Sequence, residues 1–137
     1  MKMVFVDTNV LLDLLLERET WAQDAARLFS MADRREVELL CCSLSFSTAV
    51  YLMQRFKYTR REIVKKLSIV KSICTITTVN DAVLDRMLQS DFADFEDAIQ
   101  YYSALAFGAD VIVTRNVEDF ASARIPVITP QRFIQQQ

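Results

Sequence analysis

Met3-Val4-Phe5-Val6 is an unbroken apolar run with no polar alternation, the pattern of a strand covered on both faces. It stops at Asp7, and from Val10 to Glu17 the apolar spacing becomes helical. Trp21, Ala25, Leu28, Phe29 and Ala32 form the stripe of a second helix, with Thr20 as its expected cap. Val37 to Cys42 is a second apolar strand, and Ser43 or Ser45 then opens a helix through about Arg55. Thr59 followed by Glu62 fits a capping box that starts another helix, running to about Val70. Ile73 to Val79, rich in Thr and Ile, predicts a third strand. Asn80 caps a short helix over Asp81 to Leu88, and Asp94 or Phe95 starts one that runs to about Phe107. Gly108, the only glycine, falls where a helix end needs a left-handed residue. Asp110 to Thr114 and Val127-Ile128 predict the last two strands, and Pro130 suits the first turn of a final helix.

Strands that alternate with helices, each strand a plain apolar run, predict an α/β fold. The expected architecture is three layers, α/β/α, around a central parallel sheet of about five strands. No repeat, low-complexity tract or linker interrupts residues 1–137, so one domain is expected. Ligands of such sheets collect at the carboxyl ends of the strands.

Composition narrows the chemistry. The chain has no histidine and one glycine. That removes His-based acid/base catalysis, His-ligated metals, the P-loop and the dinucleotide fingerprint. Carboxylates are left as the carriers of any catalysis. Cys41, Cys42 and Cys74 lie in apolar runs without C-x-x-C spacing and are expected to be small buried hydrophobes. No signal-like start or membrane-length apolar run is visible, so a cytoplasmic protein of bacterial or archaeal type with no membrane association is expected. Charge is uneven. Arg55, Lys57, Arg60, Arg61, Lys65, Lys66 and Lys71 face only Glu62 across residues 55–71, a net of +6, which leaves −8 for the remainder. The stretch is either a solvated helix face or a patch that attracts phosphates.

Three clusters sit where strands should end. Asp7-Thr8-Asn9 follows the first strand, and Thr114-Arg115-Asn116 the fourth, with Glu118 and Asp119 beyond. Asp91 to Asp97 leads into the helix before the fourth strand and includes Asp94 and Glu96. Ligands that are oxygens only suit a hard cation, Mg²⁺ or Mn²⁺. Each residue also has an ordinary structural use. Asp94 is a natural cap, Thr8 and Asn9 can turn the chain, Asn116 can be a turn residue, and Asp13 can pair with Arg18.

The segments Val4-Phe5-Val6-Asp7-Thr8-Asn9-Val10-Leu11-Leu12-Asp13, Phe95-Glu96-Asp97-Ala98-Ile99-Gln100, Gly108 to Asn116 and Asp119-Phe120 resemble, in order and spacing, the PIN domain of VapC-type toxins. The resemblance covers essentially the whole chain. It implies a parallel sheet flanked by helices, binding of Mg²⁺ or Mn²⁺, and cleavage of RNA. By position it makes Asp7 and Asp97 metal-binding acids, puts Asn116 in the place of a fourth acid and lets Thr8 support the site. Asp119, Asp94, Glu96, Asn9, Asp13 and Thr114 are further site candidates, with Asp119 able to join the metal. The family's second acid falls near Ser43 to Ala49, where this chain has none, and Ala49 is the most natural match.

Two functions follow from these residues. One is a metal-dependent endoribonuclease, impaired by the missing acid, whose RNA backbone is held by Arg55, Lys57, Arg60, Arg61 and Lys65. The other is an inactive PIN-fold module that binds RNA or a partner protein. A mean hydropathy of +0.15 in so small a domain suggests surface covered by an antitoxin segment or by a second copy in a homodimer.

Overall fold

The apolar runs become five parallel strands in the computed structural model, which describes residues 1–137: β1 (Met3–Val6), β2 (Glu38–Cys42), β3 (Cys74–Thr77), β4 (Val111–Val113) and β5 (Val127–Ile128). Their order across the sheet is β3-β2-β1-β4-β5. Val4 lies opposite Leu39 on one side and Val111 on the other. The lack of alternation has a direct cause, because successive residues of each strand enter different cores. Val4, Val6, Leu39, Cys41, Val111 and Val113 face one apolar cluster, and Phe5, Leu40, Cys42 and Ile112 face the other.

Helices cover both faces. Residues of α1 (Thr8–Leu15), α2 (Ala22–Asp33), α3 (Ser43–Arg55), α4 (Arg60–Ile73) and α7 (Pro130–Gln135) join the first cluster. The second is closed by α5 (Asp81–Leu88) and α6 (Phe95–Ala106), with Phe120 from a 3-10 turn over Val117–Phe120. The three-layer parallel expectation therefore holds. Because β1 leads to β2 on one side while β3 crosses back to β4 on the other, the order reverses between β1 and β4. That reversal opens a crevice at their carboxyl ends, the place where doubly wound sheets bind ligands.

Local signals are borne out at several ends. Thr59 and Glu62 form the reciprocal capping box. Asn80 caps α5, Asp94 caps α6 and Thr129 caps α7 ahead of Pro130. Three expectations need correcting. The first helix begins at Thr8 rather than Val10, directly off β1. Thr20 does not cap α2; Trp21 holds that position, and Thr20 sits at φ 78, outside helical geometry. The third strand is only Cys74–Thr77, because α4 continues to Ile73 and β3, an edge strand paired only with β2, leaves the sheet after Thr77. No helix is long and apolar enough to cross a membrane.

Gly108 follows α6 with φ +79, and a Cβ placed there would meet nothing within 4 Å. Its cost on substitution is therefore backbone strain and not a clash. Gly108→Ala is expected to lose about 1 kcal/mol in urea denaturation, and Gly108→Asn clearly less, since Asn tolerates the left-handed region. Equal losses in the two variants would contradict this account.

Candidate active site

Asp7 ends the central strand and stands at the N-cap position of α1, yet its side chain does not cap the helix. Its carboxylate is used elsewhere. Oδ1 accepts from Gln100 Nε2 at 3.0 Å, and Oδ2 accepts from Thr114 Oγ1 at 2.9 Å. Asp7 is 4% exposed, so these partners replace water that a buried carboxylate would otherwise lack. Gln100 Oε1 in turn accepts from the backbone N–H of Thr8 at 2.9 Å and from its hydroxyl at 3.0 Å. A threonine hydroxyl has one proton, so the 2.6 Å contact between Thr8 and Ser45 is a donation by Ser45. The backbone N–H of Asn116 donates to Thr114 Oγ1 at 3.1 Å, which fixes the Thr114 proton toward Asp7. Residues from α1, α3, α6 and the turn after β4 thus form one hydrogen-bond network around this carboxylate. Burial pushes the Asp7 carboxyl above its ordinary range, against the pull of the Thr114 and Gln100 hydrogen bonds.

Asp97 lies in the first turn of α6, one turn before Gln100, where its backbone N–H donates to Asp94 Oδ1 at 3.0 Å. Burial pushes its carboxyl up to about 7, and Asp7, Asp94, Asp119 and Glu96 add to the shift. Every charge that acts on it is negative. A groove of 230 Å³ runs beside it, lined by Asp91, Asp94, Asp97, Glu118 and Asp119 with no basic residue. Such an arrangement is poor as an ion-pair network and suits an external cation. No three His, Cys, Asp or Glu side chains stand close enough to hold an ion unaided. Oxygen donors of this kind suit a small hard cation that keeps part of its water shell.

The other candidates separate into distinct uses. Asp94 is the cap of α6, while Glu96 and Asp119 are exposed and act on Asp97 through charge alone. Asn116 is placed beside Thr114 by its backbone, and its side chain caps nothing. Asp13 is not in the groove. It is 1% exposed and pairs with Arg115 at 2.7 and 3.2 Å and with Arg18 at 3.5 Å, because a buried acid needs a partner and the turn after β4 brings a guanidinium to it. Asn9 faces Arg18 at 3.5 Å, the limit of a hydrogen bond. Ala49, the position matched to the family's second acid, is fully buried in the first apolar cluster, one helical turn beyond Ser45, whose hydroxyl donates to Thr8. Arg55, Lys57, Arg60, Arg61 and Lys65 are all exposed around the α3–α4 turn. Tyr58 in that turn and Lys66 of α4 reach the Leu15 carbonyl at the far end of α1. Eight helical residues separate that end from Asp7, a rise of about 12 Å.

Sequence reasoning missed Gln100 and Ser45. Gln100 lay within the Phe95–Gln100 segment, and a polar residue between Ile99 and Tyr101, three positions after Asp97, was the available signal. In the sequence Ser45 is marked only as a helix start, with no sign of its reach to Thr8.

The family model described as PIN domain matches residues 3–118. The α/β sheet with its acidic carboxyl edge is thus that of a known class, and the chain belongs to the PIN domain family. It is 26% identical over 135 residues to ribonuclease VapC1 of Aquifex aeolicus, covering 95% of this chain and 92% of that one. Its fold is similar to a toxin–antitoxin complex from Klebsiella pneumoniae (TM-score 0.67, 21% identity, 93% of this chain and 97% of that one). It is also similar to VapC20 of Mycobacterium tuberculosis, described as a sarcin-ricin loop cleaving toxin (TM-score 0.63, 16% identity, 80% and 86% of the two chains).

The Asp97 shift has a thermodynamic consequence. A carboxyl raised to about 7 from an ordinary value near 3.8 binds its proton more tightly in the fold, so its share of stability is full below pH 3.8 and lost as pH rises to 7. Asp97→Asn should therefore melt higher than the parent at pH 8 and nearly equal to it at pH 3.5. Solvent screens the exposed part of the group, so the gain at pH 8 should be about 3–5 °C without added metal. A lower melting temperature at pH 8 would contradict the charge assignment.

Proposed function

We propose that the chain is an endoribonuclease of the VapC type that uses one Mg²⁺ or Mn²⁺ ion, and that it works in the cytoplasm. The observation that carries this reading is a fixed, buried carboxylate, Asp7, near an acidic groove in which Asp97 meets only negative charge. Asp7 and Asp97 would hold the ion, with Asp119 and the amide oxygen of Asn116 available as further ligands. A bound ion supplies an acidified water and neutralises charge on a phosphate under attack. Thr114 and Gln100 hold the Asp7 oxygens in place, and Asp97 in its ionised form would be available to ligate the ion. The kinship with a protein named ribonuclease VapC1 favours RNA as substrate.

A second reading, an inactive PIN-fold module that binds RNA or a partner, is favoured by one observation. Where the family resemblance calls for an acid on α3, Ser45 reaches the site and brings no charge. Similarity to a toxin–antitoxin complex supports an antitoxin as partner in either reading. The apolar cleft between α3 and α4, with Val50, Tyr58, Ile63 and Leu67 on its walls, offers that partner or a second copy a surface to cover.

The two readings part on one assay. With Mn²⁺ the protein should cut single-stranded RNA, chelator should stop it, and Asp7→Asn should lower the rate at least 100-fold with the fold intact. Metal binding in calorimetry should strengthen as pH rises through about 7 and show one site. RNA binding without Mn²⁺-dependent cleavage would select the inactive module.

The basic stretch gives a separate expectation. Neutralising Arg60, Arg61 and Lys65 together should weaken RNA binding alike for all sequences and lower the slope of log K against log salt by about 0.7 per lost contact. Stability should change by only about 0.5 kcal/mol, since all three are exposed. An unchanged slope would return the stretch to a solvated helix face.

A further inference from the structure

The carboxyl edge carries a second recess, of 340 Å³, lined by Trp21, Arg115, Thr20, Asp24, Thr129 and Gln131 among others. Its chemistry is unlike that of the acidic groove. The Arg115 guanidinium carbon lies 3.9 Å from the centroid of the Trp21 ring. That guanidinium is not free to swing, because its Nε and Nη2 are committed to the buried Asp13. The ion pair needs nothing from Trp21, yet the indole is held beside it while remaining 44% exposed. Thr20, a β-branched residue immediately before it, takes φ 78 where the chain turns into α2, a conformation such residues rarely adopt. Arg18 and Arg115 are balanced by Asp13 and Asp24, so this spot is close to neutral where the groove is all negative.

Position matters as much as chemistry. Arg115 follows Thr114, the residue that fixes Asp7, by one step of about 3.8 Å between Cα atoms. Thr129 follows β5 as Thr114 follows β4, so the recess lies on the same edge as Asp7.

We propose that Trp21 and the pinned Arg115 form a stacking platform for one base of single-stranded RNA beside the phosphate at Asp7, an inference that rests on RNA being the substrate. Planar groups held rigid in advance lose little freedom when a base stacks on them, and every base has a face to offer. Two of the five Arg115 N–H groups are used by Asp13, and the others remain for a base edge or phosphate. Thr129 and Gln131 supply polar groups at the rim.

Trp21 is the only tryptophan, so its emission reports on this recess alone. A single-stranded RNA 12-mer should quench it with the same Kd that anisotropy of labelled RNA gives, and an abasic oligomer of equal charge should bind without quenching. Trp21→Ala should weaken RNA binding about five- to hundredfold and leave the salt slope unchanged, unlike loss of a phosphate contact. Trp21→Phe should keep affinity within about threefold, and carries the test should the alanine variant fail to fold. RNA that binds by anisotropy without altering Trp21 emission, or with full affinity for Trp21→Ala, overturns the platform and leaves the ribonuclease reading standing. No RNA binding at any salt concentration overturns both.

Discussion

Burying Asp7 at the end of the central strand obliges its neighbours to supply hydrogen bonds, because a carboxylate shut away from water is costly unless its oxygens are occupied. Thr114 answers from the end of β4 and Gln100 from α6, and Gln100 then engages Thr8, which engages Ser45 of α3. One acid thereby ties together both sides of the crevice that the strand order opens between β1 and β4. The same bonds that make burial tolerable also fix the direction of each oxygen. Rigidity and any chemistry at this point have a common origin.

Asp13 repeats the device one and a half turns along α1. It too is an acid in an apolar setting, and it draws Arg115 and Arg18 to itself. Arg115 lies directly after Thr114, so the turn after β4 is clamped on both sides, by Asp7 through Thr114 and by Asp13 through Arg115. With that turn fixed, the backbone N–H of Asn116 can orient the Thr114 hydroxyl. The two buried acids are therefore not equivalent. Asp13 has its charge answered by protein cations, whereas Asp7 receives only neutral donors, and its negative charge is left for something outside the chain.

The layer order, and the acids that gather at the carboxyl edge, were legible in the sequence for physical reasons. Strands covered on both faces cannot alternate, and acids at the ends of such strands have no packing use. Thr59, Asn80 and Asp94 were legible as caps because capping is a local contract between residues three apart. What escaped was non-local. Gln100 meets Asp7 across 93 positions, and Arg115 meets Asp13 across 102. Nothing in local periodicity marks which polar residue of a helix turns inward. Ser45 and Ala49 are four positions apart and share a face of α3, but Ser45 brings a hydroxyl to Thr8 while Ala49 only packs in the first apolar cluster.

Ser45 also bears on how strongly this edge would hold a cation. A serine there satisfies the Thr8 hydroxyl without adding charge, and Asn116 likewise brings an oxygen without charge. Negative charge is concentrated instead on the α6 side, in Asp91, Asp94, Glu96 and Asp97, and on the turn at Glu118 and Asp119. Exposed acids in water attract a divalent ion less than buried ones do, because solvent screens them. They also repel the phosphate backbone. The acidic groove and the +6 stretch about a helix length away thus present opposite charge to whatever approaches this chain. Attraction for cations and attraction for anions are in this way separated onto different parts of the molecule.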